Sequence, residues 1–61
     1  MPNSSELEAI ELQARKKHNF ASRHLTLREA RIRAIRDHYR KLRISDLPTR
    51  IVESVCEMLE D

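Results

Sequence analysis

Residues 39–51 read YRKLRISDLPTRI, and the break inside them decides the fold. A basic segment with helical spacing arrives from the N-terminal side. Ser45 and Asp46 follow, both side chains that cap helices, and then Leu47-Pro48. A residue before proline is driven out of the α region, so Leu47 belongs to a junction. Pro48 is pre-organised for a first helical turn, where its missing N–H costs nothing. One helix is therefore expected to stop near Ile44 and another to start at Pro48, with a hinge at residues 45–48. The chain has no glycine, and Pro48 is the one proline away from its start, so no other point breaks it as strongly.

On the N-terminal side of the break, Leu27, Ala30, Ala34, Ile35, Tyr39 and Leu42 recur at steps of three and four, with Ile32 flanking them. Thr26 and Glu29 are spaced as a capping box, with Leu25 and Ala30 as a modest staple. Arginine and lysine are good helix formers and nothing interrupts them, which predicts a helix over 27–43. On the other side, Ile51, Val52, Val55, Cys56 and Leu59 share one face of a helix over 48–59, with Met58 at its edge. Glu53, Glu57 and Glu60 face away. At about twelve residues such a helix is marginal alone and needs packing.

Upstream, Ser5 and Glu8 fit a second capping box, which opens a helix over about 6–17. Its apolar positions, Leu7, Ala9, Ile10, Leu12 and Ala14, are small or medium. The stripe fades at Arg15-Lys16-Lys17, so this helix is expected to be the weakest. Residues 18–22 show no strong period, and no segment alternates with period two for long enough to make a strand. The expected fold is all-α: two or three short amphipathic helices, partly disordered without a partner. It divides into an N-terminal segment, 1–25, and a two-helix region, 26–61.

Composition narrows the function. A chain of 61 residues is one domain or less. At that size only about 60% of the unfolded surface is buried on folding. Charged residues make up 36%, Phe20 and Tyr39 are the only aromatic rings, and mean hydropathy is −0.68. Such a chain gains from completing its core with a partner. Net charge +2 conceals an order. Residues 1–14 hold three glutamates and no base, residues 15–43 hold eleven bases against two acids, and residues 44–61 hold one base against five acids. The order is acid, base, acid.

No enzyme is expected, because catalysis needs convergent groups in a dry pocket. His18, His24 and His38 lack the spacing that puts two imidazoles on one helical face, so no metal site is expected. Cys56, the lone cysteine, cannot form an internal disulfide and reads as a small buried hydrophobe. No cofactor or small-molecule substrate is implied. No segment is apolar enough to span a membrane or act as a signal peptide, which makes a cytoplasmic location the expectation. Seven bases between Arg28 and Arg43 have the density to neutralise phosphates, so nucleic-acid binding is one rival function and self-association into a helical bundle another. The absence of an aromatic platform and the acidic flanks speak against nucleic acid.

Within the same stretch, the chain resembles the NepR family of alphaproteobacterial anti-sigma factors. That family carries a helix ending in a pattern like L-R-x-x-Y-D-x-V, then E-P-[IV]-P-D-R-F, then an apolar helix. Ile35-Arg36 stand at its L-R, Tyr39 at its tyrosine, Leu42 at its valine, Leu47-Pro48 at its [IV]-P and Arg50-Ile51 at its R-F. Val55 falls near its leucine pair. The resemblance covers about residues 32–59. It departs at Arg40 in place of an acid, at Ser45-Asp46 in place of E-P, and at Thr49 in place of Asp. Leu47-Pro48-x-x-Ile51-Val52-x-x-Val55 is also similar to the opening of an F-box, a motif that needs two more helices than are expected before Asp61. The NepR resemblance implies a helical clamp that sequesters an extracytoplasmic-function sigma factor of the EcfG type. It implies release when a phosphorylated response regulator with a sigma-like domain, PhyR-like, competes for the same helices. Ile35, Tyr39, Leu42, Leu47, Ile51, Val52, Val55 and Leu59 are then the expected partner-facing stripe, with Tyr39 as anchor, and Arg36, Pro48 and Arg50 as further contacts.

Overall fold

A computed structural model of the chain describes residues 2–18, 25–44 and 46–60. Among these residues lie three α-helices and no strand: α1 Ser4–Lys17, α2 Leu27–Lys41 and α3 Thr49–Leu59. Phe20, His24 and the first hinge residue, Ser45, lie outside the described residues, as does the stretch 19–22.

Each helix end has a local cause. α1 is capped two residues earlier than Ser5: the Asn3 side chain accepts from the Glu6 N–H at 2.9 Å. Asparagine is among the best N-cap residues, and it captures the start of the helix before Ser5 does. α2 begins as its capping box predicts, with Thr26 Oγ1 accepting from the Glu29 N–H at 3.1 Å. Its C-terminal end is earlier than expected. Arg43 takes a left-handed conformation, φ 62°. The Ile44 N–H donates to the Tyr39 carbonyl at 3.1 Å, and the Arg43 N–H to that of Arg40 at 2.9 Å. This is a Schellman motif with arginine at the position that normally takes glycine. A chain without glycine must bend a Cβ-bearing residue to reverse here, at a cost of about 1 kcal/mol. α3 starts one residue later than expected. Pro48 is the N-cap, not the first helical residue, and no side chain caps this end.

The helices close on one another. Ile10 and Ala14 from α1, Ala30, Ala34 and Ile35 from α2, and Val52, Val55 and Cys56 from α3 form a single buried cluster, joined by Leu25. α2 is the shared element: α1 and α3 each pack mainly on it and touch each other less. α1, expected to be the weakest helix, makes the most extensive contact with α2. Ala14 of α1 and Ala30 and Ala34 of α2 are all fully buried in the shared core, and small side chains at a helix contact permit close approach. The exposed side of α1 includes Ala9 and Leu12, so its apolar stripe is narrower than the sequence suggests.

Ion pairs flank the core. Glu11 on α1 takes Arg31 of α2 through Nε at 2.8 Å and Nη2 at 3.0 Å, and also Arg15 at 2.9 Å. Arg31 is mostly buried, with 12% of its side chain exposed, and the hydrogen bond to it holds the Glu11 carboxyl below the ordinary carboxylate value. On the other flank, Arg28 of α2 reaches Glu60 just past α3 at 2.7 Å, on an exposed surface.

Two stability predictions follow from these features. Arg43→Gly should raise unfolding free energy by roughly 0.5–1 kcal/mol, read as a higher urea midpoint at unchanged slope, because glycine adopts φ 62° without strain. A lower midpoint would mean that the Arg43 side chain matters more than its backbone. Glu11→Gln should cost about 1–2 kcal/mol at neutral pH. Because the folded carboxyl titrates below the unfolded one, its contribution is complete above pH 4.5 and fades as pH falls through the folded value. The acid limb of a stability–pH curve should therefore flatten in Glu11→Gln.

Candidate functional site

The reversal at Arg43 brings the connector back along α2. Between them lies an open groove of about 870 Å³. α2 supplies one wall through Arg33, Arg36, Asp37 and Arg40. The three arginines stand at i, i+3 and i+7, which is one helical face. The connector supplies the other wall through Ile44, Asp46, Leu47 and Pro48, and His18, just past the end of α1, closes one side. Ile44 is 44% exposed, Leu47 half-buried and Pro48 exposed, so the second wall is apolar and partly wet.

The charges in the groove are not equivalent. Asp37 is largely enclosed, with 15% of its side chain exposed, and accepts from Arg40 at 2.5 Å. Gln13 of α1 approaches the same carboxylate at 3.5 Å. His18 Nε2 stands 3.0 Å from Asp37 Oδ2 without hydrogen-bond alignment, so this contact is an ion pair only when the imidazole is protonated. Asp37 is thus engaged within the chain. Arg33 and Arg36 are exposed and, among the described residues, form no ion pair or hydrogen bond.

The residues expected to face a partner divide into three sets. Ile35, Val52 and Val55, expected in the partner-facing stripe, are at most 1% exposed and face inward in the free chain. Apolar faces on two helices of one chain bury each other at an effective concentration that no separate partner matches. Tyr39, Leu47, Ile51 and Leu59 are partly buried and pack against that core. Burial and the nearby Glu6 carboxylate push the Tyr39 phenol up, and its ring meets His38 edge-on at 5.4 Å. Arg36, Leu42, Pro48 and Arg50 are exposed. Of the whole set, Arg36, Leu47 and Pro48 come together in the groove. The spacing of Arg33, Arg36 and Arg40 carried a signal that the apolar stripe obscured; the arrival of His18 had no signal in the sequence.

Among the described residues that line it, the groove holds no arrangement of nucleophile and base. Cys56, the free thiol, is fully buried on α3, and its Sγ donates to Glu60 Oε1 at 3.6 Å. Burial and the Glu60 charge push this thiol above its ordinary value of 9.0. Among the described residues, no three His, Cys, Asp or Glu side chains are grouped to hold a metal, and no helix is long and apolar enough to cross a membrane. Comparison with protein-family models, curated proteins and solved structures finds no match to this chain.

A buried thiol shielded in this way should be alkylated only through opening of the α2–α3 contact. The rate of Cys56 modification by iodoacetamide should rise with urea in step with loss of helicity. Rapid modification in buffer, with helicity intact, would show that α3 leaves α2 without global unfolding.

Proposed function

We propose that this chain is a protein-binding regulator, and specifically an anti-sigma factor of the NepR kind that acts in the cytoplasm. It sequesters an extracytoplasmic-function sigma factor, and a phosphorylated sigma-like response regulator releases that factor by competing for the chain. The observation that carries this reading is the convergence of Arg36, Leu47 and Pro48. These residues carry the resemblance from two sides of the helix break, and they line one groove. The left-handed Arg43 joins the two sides by turning the connector back on α2.

The groove chemistry favours protein over nucleic acid. Asp46 and Asp37 lie in the same groove as the arginines and repel phosphate, and among the described residues the lining includes no aromatic ring besides His18. A protein partner supplies apolar groups for Ile44, Leu47 and Pro48 as well as acids for Arg33 and Arg36. In the closed form the groove and the exposed Leu42 and Arg50 are the surfaces on offer. Ile35, Val52 and Val55 become available to a partner only where α3 swings away from α2 about the connector.

Arg50 adds a second, weaker contact. The first turn of α3 has no acid, so a positive charge there opposes the helix dipole unless a partner carboxylate takes it. The test is titration of the wild-type chain, Arg36→Glu, Arg50→Ala and Glu57→Ala with a purified extracytoplasmic-function sigma factor and with a sigma-like response regulator, helicity being checked for each. Arg36→Glu should weaken binding roughly tenfold or more, Arg50→Ala less, and Glu57→Ala not at all. Absence of wild-type binding to both partners, or equal affinity of all four chains, would overturn the proposal.

A further inference from the structure

We infer that the groove between α2 and the connector receives an acidic amphipathic helix of the partner; this rests on the reading of that groove as the partner site. The α2 arginines are used unequally. Arg31 is held by Glu11, Arg28 by Glu60 and Arg40 by Asp37, all within the chain. Arg33 and Arg36 remain exposed in the groove without an ion pair among the described residues. Residues three apart on a helix carry their Cβ atoms about 5–6 Å from each other. Carboxylates at i and i+3 or i+4 on a second helix have the same spacing, so one such helix meets both guanidiniums along one edge.

The facing wall determines the rest of the ligand. Ile44, Leu47 and Pro48 offer an apolar surface that a leucine or phenylalanine beside those carboxylates covers. The volume of about 870 Å³ suits a few side chains from one helical face. A phosphate backbone brings no apolar group to this wall and meets Asp46 as a like charge. A second copy of the chain is the nearest competitor, because α3 presents exposed Glu53, Glu57 and Met58. Those acids stand four apart with a single apolar neighbour, whereas the groove wall offers three apolar residues. A dedicated partner helix covers more of it.

The experiment uses the full chain and a fluorescent synthetic helix of about fourteen residues, roughly 21 Å long, with glutamates at i, i+4 and i+7 and leucines beside them. A second peptide carries glutamine in place of every glutamate. The acidic peptide should bind, and its affinity should fall several-fold between about 0.05 M and about 0.3 M salt. The glutamine peptide should bind roughly tenfold or more weakly. Arg33→Glu and Arg36→Glu should each lose most of the binding. Lys16→Glu, the same charge change on the exposed surface of α1 outside the groove, should leave it nearly unchanged. Any of four results would overturn the inference: no binding of the acidic peptide, equal binding of both peptides, an equal loss in Lys16→Glu, or tighter binding of a short duplex DNA. So would sedimentation showing that the chain self-associates through Arg33 and Arg36. Peptide binding without sigma-factor binding would keep this inference and remove the sigma-factor reading. Sigma-factor binding that is sensitive to Arg36→Glu, without peptide binding, would do the reverse.

Discussion

The inward face of α2 is the constraint on which the rest depends. Ala30, Ala34 and Ile35 are fully buried, and α1 and α3 both close against the helix that carries them. A chain with no glycine and few large apolar residues has limited means of filling a core. Two alanines on the central helix let its neighbours approach closely, so Ile10, Val52, Val55 and Cys56 suffice to complete the interior. Larger residues at the alanine positions would separate the helices and leave those side chains without close neighbours, since interiors of this kind tolerate little change of volume.

The charge order follows from the same arrangement. α2 is basic and lies between two acidic segments. Glu11 from one side and Glu60 from the other each take an arginine from it. Three of the seven bases between Arg28 and Arg43 that read as a nucleic-acid signal are therefore paired within the fold. What remains in the groove is Arg33 and Arg36, a smaller and more directional feature than the net charge of the segment. The partly buried Glu11–Arg31 pair, held by two hydrogen bonds, is the stronger of the two inter-helix links; the exposed Arg28–Glu60 pair is screened by solvent and contributes little.

Helix periodicity, the Thr26 cap and the break before Pro48 were legible in the sequence because each is set by residues within a few positions. The Arg43 turn was not, since a left-handed arginine leaves no compositional mark where glycine would have left one. The Asn3 cap was missed because three good capping residues, Asn3, Ser4 and Ser5, stand in a row, and only geometry chooses among them. That Ile35, Val52 and Val55 close on the chain's own core was not legible, for a different reason. An apolar stripe shows that a face will be buried but not against what. The groove was half-legible: the arginine spacing was visible, but the wall opposite it exists only because the chain reverses.

Amide hydrogen exchange on the dilute free chain tests the shared core most directly. If α1 and α2 close the interior together, the amides of Ile10 and Ala14 should show protection within roughly tenfold of those of Ala34 and Ile35. Glu11→Gln should lower both sets in parallel. Fast exchange at Ile10 and Ala14 beside strong protection in α2 and α3 would contradict it. The functional unit would then be a two-helix pair, with α1 free to leave and the α2 alanines exposed.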